Sequence, residues 1–122
     1  MNFGICLGLT IFVASCLFGG QTRPPEATVS YKEVDAIFRQ RCMPCHSEKR
    51  KAWGMDLSSY EGLMAGSNNG EVVKPGNGAK SQLVVVIKDT KGLRMPKNGR
   101  PLTQKQIQLI EKWIDAGAKK DP

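Results

Sequence analysis

The feature that most constrains this chain is the pentapeptide Cys42-Met43-Pro44-Cys45-His46, which contains the only histidine of the sequence. Two thiols separated by two residues and followed directly by an imidazole have the spacing of a c-type haem attachment motif. The sulfurs can add to two neighbouring vinyl groups of the macrocycle, and the next residue then lies beneath the iron as its proximal ligand. The pentapeptide therefore predicts one haem c per chain, covalently bound by Cys42 and Cys45 and ligated by His46.

Three other interpretations of the same five residues stay open. A Cys-x-Pro-Cys pair also occurs in dithiol oxidoreductases, but there it follows a buried strand, whereas helical periodicity precedes it here. A structural zinc site needs four ligands, and no Cys or His follows His46 in the chain. A simple disulfide would leave the lone histidine without a role. We expect haem attachment.

The first 22 residues differ chemically from the rest of the chain because they contain no Asp, Glu, Lys or Arg. Their apolar run has the size of a signal-peptide core, so we predict a signal peptide over residues 1–22 and a periplasmic or exported protein. Residues 13–16, Val-Ala-Ser-Cys, resemble a bacterial lipoprotein box, in which Cys16 would be acylated and anchor the protein to a membrane. Ordinary cleavage near Gly19 and an uncleaved anchor are the alternatives. Residues 23–29 are predicted to be a flexible linker, and residues 30–120 the domain.

Length and charge limit the classes of function. A chain of 122 residues has room for one small domain, which excludes a multidomain enzyme. Eighteen Lys and Arg against 11 Asp and Glu give a net charge of +7, which favours acidic redox proteins as partners. Nucleic-acid binding is not expected, because the basic residues lie in no recognisable binding motif. We expect a monomer.

Capping boxes mark the starts of two amphipathic helices. The first begins at Ser30 with Glu33 three residues later and ends near Pro44. The second begins at Thr103 with Gln106 three residues later. Apolar residues recur at helical spacing in both, namely Val34, Ile37, Phe38 and Cys42 in the first, and Ile107, Ile110, Trp113 and Ile114 in the second, which closes at Gly117. We expect the two apolar faces to pack together, with Phe38 against Trp113.

Between these helices the periodicity is weaker. A short helix is predicted from Ser58 or Ser59 to Ala65, stopped by Gly66, and residues 67–70 form a turn. Residues 83–87, Leu-Val-Val-Val-Ile, would suit a buried strand by pattern alone. The preceding Pro-Gly-Asn instead indicates a break and a helix cap, so we favour a helix from about Gly78 to Lys88.

We expect the sixth iron ligand to be a methionine, since the sequence contains no second histidine. Met1 leaves with the leader, Met43 lies between the cysteines, and Met55 and Met64 follow closely on the proximal segment. Met95 stands 49 residues after His46 in a stretch rich in helix breakers. Because proline favours an extended conformation at the preceding residue, Pro96 would let a loop carry the thioether over the haem, and Met95 is the predicted distal ligand. A methionine ligand raises the reduction potential.

Five basic residues crowd the loop expected over this haem face, and they are Lys88, Lys91, Arg94, Lys97 and Arg100. Exposed cations there would attract an acidic partner to the haem edge. We therefore expect a basic docking rim.

An ordered set of short motifs resembles the planctomycete-type cytochrome c domain over about residues 30–118. The matching positions are Phe38, residues 42–46, Met55-Asp56-Leu57, Gly66, Gly70, Val73-Lys74-Pro75-Gly76, Ser81-Gln82-Leu83, Met95-Pro96, Leu102-Thr103 and residues 113–118. Gly78 and Lys97 stand where the family often has proline. The resemblance implies a small all-α, class I-like cytochrome c fold of three to five helices around one covalent haem, with Cys42, Cys45, His46 and Met95 in the roles given above.

The expected function is one-electron transfer by a monohaem carrier that cycles between Fe(III) and Fe(II) without bond chemistry, so the protein is not expected to be an enzyme. The alternative is a haem sensor or weak peroxidase, which would need an open or labile sixth ligand position. The state of Met95 discriminates between the two.

Overall fold

The computed structural model describes residues 27–121, which form a mostly helical fold with very little sheet. The helices of this part are α1 (Tyr31–Arg41), α2 (Tyr60–Ala65), α3 (Gln82–Lys88) and α4 (Gln104–Asp115). One antiparallel hairpin of β1 (His46–Ser47) and β2 (Arg50–Lys51) lies between α1 and α2, followed by a 3-10 turn at Ala52–Gly54. The predicted signal peptide over 1–22, with Cys16, and residues 23–26 of the linker lie outside the described residues.

Both predicted capping boxes are present, so the helix starts are confirmed. At α1 the Ser30 amide donates to the Glu33 carboxylate at 2.9 Å, and the Glu33 amide donates back to the Ser30 hydroxyl. At α4 the Thr103 amide donates to the Gln106 side chain at 3.0 Å, and the Gln106 amide donates to the Thr103 hydroxyl at 3.2 Å. Each box satisfies amides that have no partner within their helix.

The core lies where α4 contacts both α1 and α3. The apolar faces predicted for α1 and α4 are buried, with Phe38 at 0% and Trp113 at 1% exposure. Val29, which was assigned to the linker, is half-buried and packs against this core. Within residues 27–121, no helix has the length and apolar character needed to span a membrane.

The short helix α2 is confirmed, because the Ser59 hydroxyl caps it and Gly66 ends it with φ of 83°. For α3 the choice of helix over strand is confirmed, but the predicted start at Gly78 is wrong. The Gly78 amide donates to the Asp115 carboxylate of α4 at 2.6 Å, and a Cβ at Gly78 would lie 2.8 Å from the Glu111 side chain. Gly78 therefore lies against α4 and outside helix α3. The chain turns after it, and α3 begins only after Ser81.

The buried hydroxyl of Ser81 explains why the start of α3 lies there. It accepts a hydrogen bond from the Lys74 amide at 2.8 Å and donates one to the Asn77 carbonyl at 2.9 Å. Ser81 is 0% exposed, and a buried hydroxyl requires such partners. The side chain closes the turn over residues 74–81, and its backbone stays extended as the N-cap.

The last described residues contact helices α1, α2 and α4. The Tyr60 hydroxyl donates to the Ala118 carbonyl at 2.9 Å and the Trp113 indole donates to the Lys119 carbonyl at 3.0 Å. Both carboxylate oxygens of Asp121 accept amides from the first turn of α1, at 2.8 and 2.7 Å. A carboxylate at a helix N-terminus satisfies free amides and complements the helix dipole, so residues 118–121 join α1, α2 and α4.

Tyr31 connects this region to the core. Its ring lies 5.2 Å from that of Tyr60 and 5.6 Å from that of Trp113. Among residues 27–121 its hydroxyl oxygen is buried with no hydrogen-bond partner. Burial, followed by the negative charge of Asp35, raises the pKa of Tyr31 to about 12. Folding therefore favours the neutral phenol.

We predict that Tyr31→Phe removes part of the alkaline destabilisation of the protein. The pKa of Tyr31 is raised from 10.0 in the unfolded reference to about 12 in the fold. The stabilising effect of the neutral phenol is thus complete below pH 10 and is lost as pH rises through 12. Urea unfolding from pH 9 to 12 should show a free energy of unfolding that falls more steeply for the wild type than for Tyr31→Phe. Parallel curves would contradict the prediction.

Candidate functional site

The two motif cysteines and the histidine share one backbone turn at the end of α1. Cys42 is the C-cap residue of α1, and its carbonyl accepts hydrogen bonds from the amides of Cys45 at 3.1 Å and His46 at 3.0 Å. Pro44, which has no amide hydrogen, lies inside this turn and helps to end the helix. The structure therefore brings Cys42, Cys45 and His46 together, as their spacing predicted.

No disulfide joins the two thiols, and their surroundings differ. Cys45 is exposed, whereas Cys42 is half-buried and packs against the hydrophobic core. Burial raises the pKa of the Cys42 thiol to about 11, although the positive charge of Arg41 opposes this shift. Cys42 is thus a neutral thiol at physiological pH, with its sulfur on the core side of the turn.

The main chain of His46 is held by backbone hydrogen bonds on both sides. His46 pairs with Lys51 across the hairpin, and its carbonyl accepts the amide of Leu57 at 2.9 Å. Its Nδ1 atom is buried and has no hydrogen-bond partner among residues 27–121. A buried ring nitrogen without a partner is unfavourable unless a ligand or an acceptor meets it. An imidazole in this state beside two free thiols has the donor set that a c-type haem requires.

Met95 lies in the loop between α3 and α4, here called the Met95 loop (residues 89–101). The loop contains no helix, as its breakers predicted. The Met95 amide donates to the Val86 carbonyl at 2.9 Å, and the half-buried side chain packs against the hydrophobic core. Cys42 packs against the same core. The thioether and the attachment turn therefore both contact one hydrophobic core.

The start of the Met95 loop is shaped by Asp89. Its carboxylate accepts the amides of Lys91 and Leu93, each at 2.8 Å. These backbone hydrogen bonds lower the pKa of Asp89, since they favour the charged carboxylate. Asp89 therefore organises the basic part of the loop while remaining an anion there.

Arg41 makes a contact with the Met95 loop that the sequence did not predict. Its guanidinium donates to the carbonyls of Arg100 and Pro101. Arg41 precedes Cys42, so this contact ties the attachment turn to the far end of the Met95 loop. Nothing in the sequence pairs residues 59 positions apart, because an arginine at the end of a helix is ordinarily a solvated cation.

The other described methionines are placed differently from Met95. Met55 is buried in the core at 6% exposure, and Met64 of α2 is half-buried against it. Met43 is half-buried between the two cysteines. Met95 is the methionine of the described chain that lies on the loop after α3, as the ligand prediction requires.

Comparison with known protein families decides the assignment. Residues 42–99 match the family model of the planctomycete cytochrome c. This match supports a planctomycete-type cytochrome c domain in the chain. No curated protein and no solved structure is significantly similar to the chain. The matched region runs from the first cysteine of the attachment turn to Gly99 in the Met95 loop, so it contains all four predicted site residues. The cytochrome c family binds haem c and serves haem-based electron transfer.

A cleft opens beside the Met95 loop of this cytochrome c domain. Its volume is about 460 Å³. Apolar residues of the lining include Ile87, Leu102 and Ile107, and basic ones include Lys88, Lys91 and Arg94. Lys88 also pairs with Glu111 of α4 at 2.6 Å. Three of the five basic residues predicted as a docking rim, Lys88, Lys91 and Arg94, thus line a partly apolar cleft.

The conformation of Trp53, in the 3-10 turn that follows the hairpin, is a second feature that the sequence did not predict. Trp53 has φ of 60° and ψ of 22°, the left-handed conformation, and is 64% exposed. Bulky residues rarely adopt positive φ. Periodicity carries no signal for such a residue, since both its conformation and its exposure depend on contacts with distant parts of the chain.

Proposed function

We propose that this protein is an exported monohaem c-type cytochrome of class I-like fold that carries one electron at a time. Cys42 and Cys45 hold a single haem through thioether bonds, His46 is the proximal ligand and Met95 is the distal ligand. The observation that carries the proposal is the single turn at the end of α1, where two free thiols lie with a half-buried histidine whose Nδ1 atom is buried without a partner. Bound haem c supplies a one-electron Fe(III)/Fe(II) couple.

The roles of the residues follow from their positions. Cys42 and Cys45 would hold the haem by adding sulfur and hydrogen across its two vinyl groups, an addition that would need no oxidant. The strand pairing of His46 and the hydrogen bond from the Leu57 amide restrain its main chain on both sides, which would limit the positions open to the imidazole. Covalent attachment keeps the ligand at the correct distance without high non-covalent affinity.

A neutral sulfur ligand suits electron transfer. Methionine stabilises Fe(II) and raises the potential, and Met95 is held by a backbone hydrogen bond and by packing against the core. Arg41 ties the end of the same loop to the attachment turn. Because two separate contacts restrain the loop, Met95 would stay in one place beside a bound haem, which would suit a carrier better than a sensor or a peroxidase.

The expected partner is a redox protein with an acidic surface. The net charge of +7 and the five cations at positions 88–100 support this part of the proposal, since opposite charge accelerates encounter. The single charged group that opposes them in the Met95 loop is the Asp89 carboxylate, which is engaged by backbone amides. The protein acts as a monomer in the exported compartment, and no bond chemistry is assigned to it.

Covalent haem attachment is predicted to require both motif cysteines. Full-length protein produced with a c-type maturation system should retain haem after denaturation and acid–acetone extraction, with one haem per chain by mass. Cys42→Ser/Cys45→Ser should lose all covalent haem, because no sulfur remains to form a thioether. Met43→Leu, in the same turn, should keep it. Wild-type protein that releases its haem on denaturation would contradict the proposal.

Met95→Leu should remove the distal ligand while preserving the volume of the side chain. The ferric wild type should show the far-red charge-transfer band of methionine–iron ligation, and Met95→Leu should lose it and have a lower midpoint potential. The matched control is Met64→Leu, which changes a half-buried methionine packed on the same core and should retain the band. If the wild type lacks the band, the sensor or peroxidase alternative is favoured instead.

Charge in the Met95 loop should control the rate of electron transfer from an acidic protein. With reduced plant-type ferredoxin as donor, the second-order rate should fall steeply as ionic strength rises. Lys91→Gln/Arg94→Gln should slow the reaction several-fold at low salt. Lys80→Gln/Lys105→Gln removes the same charge from exposed positions outside the loop and should have a smaller effect. Equal effects of both double variants, or a rate insensitive to salt, would count against a basic docking rim.

A further inference from the structure

The 3-10 turn after the hairpin presents a large aromatic ring to solvent, and two exposed cations of the hairpin precede it by three and four residues. Trp53 is 64% exposed, and Lys49 and Arg50 of the hairpin are exposed as well. Among the described residues only Val85 and Leu93 are comparably large hydrophobic side chains with high exposure. The three residues Lys49, Arg50 and Trp53 are called the Trp53 surface below.

The backbone holds the ring in this exposed position. The carbonyl of Trp53 accepts the amide of Asn68 at 2.9 Å, which ties the turn to the segment after α2. Gly54 follows with φ of 74°, and a Cβ there would clash with the Asn68 side chain. Two consecutive residues with positive φ are thus held by contact with Asn68. A bulky residue in such a conformation persists only when its surroundings impose it, and such residues concentrate at functional sites.

The charges beside the ring favour an acidic partner. No ion pair within residues 27–121 involves Lys49 or Arg50, whereas the ammonium of Lys51 lies 3.6 Å from Asp56. Glu48 is the one acidic residue between Ser47 and Lys51. Two cations therefore remain free to pair with carboxylates of another molecule.

We propose that the Trp53 surface is the docking contact for an acidic protein redox partner, with the indole as its apolar anchor. This rests on the proposed electron-carrier function. The hairpin begins at His46 and directly follows Cys45, so a partner bound there lies against the segment that carries the attachment turn. Tryptophan and arginine dominate the energetics of many interfaces, and a ring already held in place loses little conformational freedom on binding. The Met95 loop supplies long-range attraction, and the Trp53 surface supplies the short-range contact.

A protein partner explains this surface better than a lipid bilayer does. Peripheral proteins that bind bilayers through a helix insert a broad apolar face, whereas the residues that precede Trp53 in the chain are charged or small: Ser47, Glu48, Lys49, Arg50, Lys51 and Ala52. A single aromatic ring among cations instead matches an interface with an apolar centre and a charged rim.

The experiment distinguishes the loss of a docking contact from the loss of long-range attraction and from a change in the haem itself. Ferric holoprotein is mixed in a stopped-flow instrument with reduced plant-type ferredoxin at about 0.5 M ionic strength, where the Debye length is about 4 Å. Hydroquinone, a small neutral reductant, is used in parallel. Trp53→Gly removes the ring, and glycine is well suited to positive φ, so the variant should fold with wild-type helicity. Leu93→Ala is the matched control, because Leu93 is also 64% exposed and lies near Lys91 and Arg94.

We expect Trp53→Gly to slow reduction by ferredoxin about tenfold, a larger loss than truncation of most interface residues causes, with no change in the hydroquinone rate or the haem spectrum. Trp53→Phe should recover part of the ferredoxin rate, and Leu93→Ala should change it less than twofold. Equal losses in Trp53→Gly and Leu93→Ala would overturn the proposal. So would a slower hydroquinone reaction or a shifted haem spectrum in Trp53→Gly, since the ring would then act on the haem itself.

Two further outcomes are distinguishable from these. If wild-type protein, but not Trp53→Gly, cosediments with phosphatidylglycerol vesicles and the ferredoxin rates are equal, the surface binds lipid and the proposal is wrong. If no variant carries haem, neither reductant gives a reaction with any protein, and the electron-carrier function fails first. A loss confined to ferredoxin supports docking and leaves the carrier function intact.

Discussion

The end of helix α1 determines where the attachment turn, His46 and the following hairpin lie. The Cys42 carbonyl accepts the amides of both Cys45 and His46, which closes one turn of backbone, and Pro44 within this turn has no amide hydrogen with which to continue the helix. His46 then enters the hairpin, and the hairpin leads directly to the 3-10 turn with Trp53. The proposed haem attachment, the proximal ligand and the docking surface are therefore consecutive parts of one short segment whose direction is set by this turn.

Helix α4 supplies the complementary constraint. Its buried face contacts α1 and α3, the Asp115 carboxylate holds the Gly78 amide, and Glu111 pairs with Lys88 at the end of α3. The Met95 loop connects α3 to α4, so both of its ends are held by the same helix. A loop fixed at both ends can carry a thioether to a defined place, even though the loop itself contains no helix or strand.

The parts of the fold that could be predicted are those decided by neighbours in the sequence. The capping boxes at Ser30 and Thr103 bond residues three apart, and the buried face of α4 follows from a spacing of three to four. The cysteine and histidine spacing has the same local character, because one turn of backbone suffices to bring the three side chains together. For Met95, the breakers around it correctly predicted a loop, and its role as a ligand stays a prediction.

Other features were decided by contacts between distant segments. The start of α3 was misplaced because Gly78 lies against Asp115, 37 positions away, and Ser81 bonds across its own turn to Lys74. Arg41 meets the Met95 loop, and Asp121 caps α1 from the other end of the domain. Such contacts cannot be predicted from the periodicity of a single sequence.

The sequence by itself determined the helical class, the two main helix starts and the haem-attachment motif, because each depends on side chains within one turn of each other. Only the tertiary structure decided that α3 starts late, that Arg41 ties the attachment turn to the Met95 loop and that Trp53 is held outward in a left-handed conformation. The physical reason is the same in all three cases. A hydrogen bond between segments far apart in sequence selects a backbone conformation that local preference alone would not choose.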